Sequence, residues 1–336
     1  MMFRICSVVF MVGGLSLMAP ARAQSASGWP GLEGRIGPYS GVHTVADVDR
    51  MISLGFRITI YPSINPAIIS RLEGEGGTYL DSYLWSNVIH PICQKQLKEG
   101  PVHGGQASCR LSPEDIAAAT EKIRSHLEQV KSDRGLAGFW ILDDYPHGDV
   151  TPILRVIRQL VSQSNAETGL RRPTVCGVGG NLDAKRTPRD PRFRPDRAYT
   201  DAALTNVSPE FCDLVSPYLY GVLETDEPGL VDWSMRDQLP AFVSQLREKG
   251  FDTSRPLLVP CIQAFSHTRP GKARHVVKPR PADIEAQMRA YCREKPVAML
   301  FFTWLAKDVE ATPATDDSLL QGVLAGARAC GYKLTP

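Results

Sequence analysis

The chain has 336 residues, with 38 Lys and Arg against 36 Asp and Glu. Residues 1–23, set aside below, hold Arg4 and Arg22 and no acid, so 36 basic residues (38 less two) then balance 36 acidic ones. That balance argues against a nucleic-acid partner and fits an uncharged one better, while about 310 residues allow one large α/β domain or two smaller ones.

Arg4, the apolar stretch ICSVVFMVGGLSLM and the small-residue site APARA predict a signal peptide over residues 1–23, cut after Ala23. The stretch is short for a membrane span. No lipobox cysteine sits at the cut, and no later segment is apolar enough to cross a bilayer. A periplasmic or extracellular protein without stable membrane insertion is expected. Residues 24–34 read as a flexible lead-in and 35–333 as a single domain. Export permits disulfides. Of the seven cysteines left, Cys93 and Cys109 bracket a Gly-containing loop and predict one pair. Cys292 and Cys330, in the last two predicted helices, predict a second. Cys261, inside LLVPCIQAF, reads as a buried free thiol. There is no CxxC, the histidines are scattered and no cofactor motif occurs, so neither a metal nor a cofactor is expected. The oligomeric state leaves no trace in the sequence.

In chain order, GRIGPYSGV predicts a first strand and TVADVDRMISLG a helix ended by Gly55. FRITIYPS predicts the second strand, stopped by Pro62. NPAIISRLEGEGG follows as a short helix, with Pro66 near its start and glycines at its end. TYLDSYLW predicts the third strand. SPEDIAAATEKIRSHLEQVKSDRG predicts a long helix, with Ser112 as N-cap, Pro113 at its first position and Gly135 beyond its last turn. Its apolar stripe is Ile116, Ala119, Ile123, Leu127 and Val130. LAGFWILDD is the fourth predicted strand, DVTPILRVIRQLVSQSNAETG a helix and RPTVCGVGG the fifth strand. The polar insert NLDAKRTPRDPRFRPDRAYTDAALTNVSPEF reads as a loop over one face. CDLVSPYLYG, RPLLVPCIQAF and VAMLFFTWLA predict strands six to eight. Each is followed by a helical pattern: VDWSMRDQLPAFVSQLREKG, RPADIEAQMRAYCREKP and DDSLLQGVLAGARACGY.

Eight strands, mostly continuous apolar runs and each followed by a helix, predict a (β/α)8 TIM barrel of the α/β class. The alternative is a doubly wound open sheet. It calls for a Gly-rich phosphate turn after the first strand, which GVHTVAD lacks.

Barrel sites form at the carboxyl ends of the strands. The run GFWIL ends there in Asp143 and Asp144. Successive side chains on a strand point to opposite faces, so the two acids cannot share a role. Either Asp144 faces the pocket and Asp143 braces a neighbour, or the reverse. The other strand ends carry Tyr39 and His43, then Tyr61, then Asp81 with Tyr83 and Trp85, then Tyr218 and Tyr220, then Gln263, then Trp304. Aromatic faces stack on sugar C–H faces, and amides or carboxylates bind hydroxyls. Each residue alone reads as readily as packing, Asp149 reads as a helix cap, and the basic cluster at 269–281 as an exposed loop or a clamp on an acidic glycan. Their convergence at one end predicts a carbohydrate partner, with Tyr39, Tyr61, Asp81, Tyr218, Tyr220, Gln263 and Trp304 as substrate-binding candidates. Trp304 is expected as a floor under one sugar ring.

GFWILDDYP resembles the fourth-strand signature, Gly, an aromatic, three residues, then Asp-Glu-Pro, of bacterial barrel glycoside hydrolases. GPYSG with LGFRITIYPS resembles the opening of those domains, and PCIQAF and LFFTW their last two strand ends. The resemblance spans about residues 35 to 330. A more distant similarity is to family-eighteen chitinases, with an acid ending strand four, a Tyr on strand six and a Trp on strand eight. It implies an exported glycosidase using carboxylate acid–base catalysis, with Asp144 as the acid and Asp143 beside it. This chain has Asp144 where the signature has Glu, and Gln263 where two-Glu enzymes carry their nucleophile. The second carboxylate therefore has to come from elsewhere, with Asp81, Glu224 and Asp308 as candidates, or a strand-six Tyr assists. A non-catalytic glycan-binding barrel is the competing expectation.

Overall fold

The computed structural model describes residues 28–61, 65–99, 109–143, 148–179, 198–199, 201, 203–220, 234–268, 275–306 and 309–334. The expected signal peptide, the core of the polar insert and residues 269–274 of the basic cluster lie outside the described residues.

Besides four two-residue strands, the described residues hold eight strands interspersed with helices: β1 (Arg35–Pro38), β2 (Ile58–Tyr61), β3 (Thr78–Asp81), β4 (Leu136–Leu142), β5 (Thr174–Val178), β6 (Leu214–Pro217), β7 (Cys261–Gln263) and β8 (Ala298–Phe302). The helices are α1 (Val45–Ser53), α2 (Pro66–Gly74), α3 (His90–Glu99), α4 (Pro113–Val130), α5 (Thr151–Thr168), α6 (Leu239–Glu248), α7 (Pro281–Arg293) and α8 (Asp317–Ala329). The third strand is shorter than the run TYLDSYLW predicts. It stops at Asp81, and Leu84–Ile89 winds into a π-helical turn leading to α3.

All these strand pairs are parallel. In place of one closed ladder, these eight strands form a five-stranded sheet, β2-β3-β4-β5-β6, and a three-stranded sheet, β1-β8-β7. The sheets meet at two edges. Arg57 N donates to Ile36 O at 3.0 Å beside β1. Val215 of β6 accepts from Val259 N at 2.9 Å and donates to Leu257 O at 3.0 Å, ahead of β7. The physical reasons are local. At the second edge Pro217, two residues past Val215 and turned to the same side, has no N–H to donate to Val259 O. At the first edge β1 runs so close to β2 that a Cβ on Gly37 would lie 1.8 Å from Ile58 O.

Two apolar layers result. One faces away from the helices and includes Ile58, Ile60, Leu80, Trp140, Val175 and Leu300. Leu32, in the turn before β1, is fully buried with it. The larger layer lies between strands and helices. The long helix α4 has the predicted start. Ser112 Oγ accepts from Asp115 N, and Asp115 returns a bond to the Ser112 backbone. α5 ends at Gly169 in the left-handed conformation, φ 68°. The N-cap of α8 is Asp316, which accepts from Ser318 and Leu319 N–H groups. The Ser318 hydroxyl, which also donates to it, brings its carboxyl down to about 2, with Lys278 and the backbone bonds adding less.

Cys93–Cys109 and Cys292–Cys330 are bonded as the sequence predicts, and Cys261 is free and buried. A third disulfide, Cys176–Cys212, ties β5 to the turn before β6. No helix among the described residues is long and apolar enough to cross a membrane.

At the amino ends of the strands, Glu73 and Asp133 form a pair. Gly135 N donates to Glu73 Oε1 at 2.5 Å and to Asp133 Oδ1 at 3.0 Å, and Tyr79 Oη donates to Asp133 Oδ2 at 2.6 Å. Its hydrogen bond with Asp133, then burial, push the Glu73 carboxyl above its ordinary value of 4.5. The folded chain therefore holds a proton there that the unfolded chain releases. The stabilisation is complete below the ordinary glutamate range and falls as pH rises through the raised value. Glu73→Gln, whose amide can donate to Asp133 at any pH, should flatten that part of the stability–pH curve. Urea unfolding between mildly acidic and neutral pH checks this, and an unchanged slope contradicts it.

Candidate active site

Every residue of β4 is buried, and the strand slips register against both neighbours. Tyr79 pairs with Leu136 but Leu80 with Gly138. Trp140 pairs with Val175 but Leu142 with Cys176. Each irregularity breaks the two-residue alternation and re-aims the side chains beyond it. Trp140 belongs to the inward layer, whereas Ile141 and Leu142 belong to the outer one. Asp143, the next residue, turns back over the strand ends.

Its carboxylate meets two phenols from strands that are not neighbours of β4. Tyr218 Oη, just past β6, donates to Asp143 Oδ1 at 2.7 Å. Tyr39 Oη, just past β1, donates to Asp143 Oδ2. One carboxylate can touch residues following β1, β4 and β6 only by lying over the carboxyl ends of the strands. Accepting on both oxygens is the pattern of an ionised carboxylate.

An aromatic cluster surrounds the acid. Tyr39 packs edge-on against Trp140 at 5.5 Å and Tyr218 at 5.9 Å between centroids. Tyr218 lies parallel to Trp140 at 6.4 Å and to Tyr220 at 6.1 Å. Phe265 and Phe302, 4.9 Å apart, continue the cluster from Tyr220 back to Tyr39. Tyr220 Oη also reaches the free Cys261 Sγ at 3.8 Å. Such a wall offers ring faces and a fixed acceptor, and three of its members, Tyr39, Tyr220 and Phe302, are only partly buried.

The other predicted residues divide. Tyr39, Tyr218, Tyr220 and Asp143 come together. Asp144, Glu224, Asp308 and the side chain of Tyr61 lie outside the described residues. Asp81 is buried on the opposite face of β3 from Leu80. Its Oδ2 pairs with the buried His126 Nε2 of α4, its Oδ1 accepts from Tyr83 N at 2.7 Å, and the Tyr83 ring stacks on His126 at 3.9 Å. It fastens β3 to α4, away from the aromatic cluster. Gln263 ends β7 fully buried, its amide donating to Val277 O at 3.2 Å. Trp304 is also fully buried. It packs edge-on to Phe56 at 6.3 Å, under the Arg50 guanidinium at 5.5 Å, in the layer between strands and helices.

Trp140, Phe265, Phe302 and Gly177 escaped the sequence reading. The first sits inside the very run that carries the acids, but its inward direction depends on a register slip that no alternation rule contains. Among the described residues, no group of three His, Cys, Asp or Glu side chains could hold a metal ion.

No protein-family profile and no curated protein matches the sequence. Solved structures do match the fold. A catalytic mutant of Gan42B, a GH42 β-galactosidase from G. stearothermophilus, aligns with a TM-score of 0.56 at 10% identity, covering 91% of this chain and 57% of that one. The β-galactosidase from the psychrophilic Marinomonas ef1 aligns with a TM-score of 0.52 at 12% identity, covering 89% of this chain and 61% of that one. This chain thus spans less than two thirds of either enzyme. The likeness is one of fold alone: a mixed α/β chain with parallel strands.

The burial of Trp304 sets a clear expectation. Trp304→Ala should cost about 3–5 kcal/mol of stability through the cavity it leaves. The folded fraction should bind ligand at the Asp143 cluster as wild type does. Calorimetric melting with ligand titration checks both, and a full-strength melt with lost binding would restore the sugar-floor expectation.

Proposed function

We propose that this chain is an exported glycoside hydrolase acting on a carbohydrate at the carboxyl ends of its strands. In this reading the two sheets close into a (β/α)8 barrel, supported by the backbone bonds at both edges where they meet. Asp143 and Asp144 supply the carboxylates, and the partly buried Tyr220 and Phe302 of the aromatic cluster receive sugar rings. The observation that carries the reading is the Asp143 carboxylate, ringed by tyrosines that follow β1 and β6. Three disulfides support export, as does the basic-then-apolar start of the sequence.

Cleavage of a glycosidic bond needs a proton for the leaving oxygen and negative charge, or a base, near the anomeric centre. Asp143 suits the charged role, because both its oxygens accept. Asp144 is the proton donor in this proposal. A second reading is favoured by Gln263. The place where two-Glu enzymes keep a nucleophile holds a buried amide bonded to Val277 O, which suits a glycan-binding protein without catalysis.

The purified protein, tested on a panel of neutral glycans with product analysis, should release sugar. Asp144→Asn should lower the rate by about 10²–10⁴, the range of one general acid, and keep glycan affinity. Binding without cleavage by the wild type would select the second reading. Full activity in Asp144→Asn would remove that residue as the acid.

A further inference from the structure

Both tyrosines that hold Asp143 spend their hydroxyl groups on it. A phenol whose hydrogen goes to a carboxylate keeps its ring for packing but has no hydrogen left to give a ligand. The contact is built from further out. Tyr218 Oη reaches Asp143 across the inward side of β5, where Gly177 stands. A Cβ at Gly177 would lie 2.5 Å from Tyr218 Oη and 2.8 Å from Trp140 Cζ2. Both distances are closer than real Cβ contacts come, so any larger residue would force the phenol or the indole aside. The backbone beneath Tyr218 is also fixed. The fully buried Tyr199 accepts from Tyr218 N at 3.1 Å and donates to Val178 O at 3.0 Å. Trp140, parallel to the Tyr218 ring and edge-on to Tyr39, leaves neither phenol room to swing inward.

We propose that Tyr39 and Tyr218 are positioning residues rather than sugar platforms, and that Gly177 is a third, since its missing side chain lets Tyr218 reach Asp143. Together they hold the Asp143 carboxylate ionised in one orientation over the strand ends. It then presents fixed negative charge to a substrate whose anomeric carbon becomes positive, while the proton comes from another group. The proposal rests on the glycosidase reading above and assigns the sources of its rate. Preorganised charge counts where charge develops in the transition state, so the tyrosine hydroxyls should act on turnover more than on binding.

The test uses the full-length protein and the neutral glycan it cleaves fastest on the panel. Tyr39→Phe and Tyr218→Phe keep the rings and remove the hydroxyls. Each should lower kcat by about tenfold, as loss of a hydrogen bond to a charged group does, and leave KM within about twofold. Gly177→Ala should reproduce the Tyr218→Phe loss and add nothing to it in the double variant. In an Asp143→Asn background, Tyr218→Phe should cost little more. A rise in KM that persists in that background would overturn the proposal, because the hydroxyls would then bind sugar directly. Thermal unfolding reads the contact without any substrate: Tyr218→Phe and Asp143→Asn should couple, and strict additivity would also overturn the proposal. If the wild type cleaves no glycan, the functional reading falls and takes the catalytic role with it. If it cleaves while the variants keep wild-type kcat, the positioning role alone falls.

Discussion

The hydrogen-bonded Asp143 carboxylate is the point on which the upper end of this molecule depends. A strand of seven buried residues delivers a charged side chain to its own end. An unpartnered charge there would be costly, since a charge leaving water needs pairing or strong hydrogen bonds. Two phenols supply those bonds, and they come from opposite sides of the sheet system. Satisfying one acid therefore joins the ends of β1, β4 and β6. The aromatic cluster follows from the same need. Tyr39 and Tyr218 must be inward and close, and the surfaces around them are then filled by Trp140, Tyr220, Phe302 and Phe265.

Glycine makes that closeness possible. At Gly177 the absent side chain is the space the Tyr218 hydroxyl and the Trp140 ring occupy. The same logic operates lower down at Gly37, where β1 approaches the backbone of β2 more closely than any Cβ permits. Both glycines are ordinary in backbone conformation, and what they contribute is room. Close packing on the inward face of the sheets explains the demand, because side chains from several strands compete for one volume. A large ring on β4 requires an absence on β5.

Much of the architecture was legible because it is written in local terms. The caps at Ser112 and Gly169, the prolines at helix starts and the continuous apolar runs each have a nearby cause. So does the Cys93–Cys109 pair, separated by one loop. The third disulfide was not legible, since Cys176 lies within a strand and Cys212 beyond a long insert, and only the adjacency of β5 and β6 unites them. The site was half legible. A tyrosine or acid at a strand end is visible in the sequence, but its direction is not. Asp81 and Asp143 both follow buried strand residues, yet one turns outward to His126 and the other inward to two tyrosines. Strand alternation decides the first, with Leu80 inward and Asp81 outward. Register slips decide the second, and a slip is a property of two strands at once. Trp304 failed for a related reason. It stands two residues past the end of β8, where alternation no longer applies, and Arg50 and Phe56 claim its faces.

Polar groups at the two ends of the strands are used in opposite ways. At the amino ends, Arg172 donates to the carbonyl oxygens of Val130, Lys131, Asp133 and Leu136, and Arg35 to those of Arg57 and Gly76. These guanidiniums close turns: burial, the largest influence, lowers both below their ordinary values, and their donors are spent on fixed main chain. Glu73 and Asp133 are likewise tied to each other and to Gly135. Such bonds hold segments in place. At the carboxyl ends the charged group is held by side chains instead, the hydroxyls of Tyr39 and Tyr218. It is a partly exposed acid beside aromatic faces. An end whose polar groups are bound to backbone resists change, whereas an end with an oriented acid and open ring edges can receive a ligand. The division matches the general behaviour of parallel α/β folds, in which stability collects at the amino ends of the strands and chemistry at the carboxyl ends. Here it has a specific cause: the arginines sit where turns offer carbonyl oxygens, and the tyrosines sit where strands release a carboxylate.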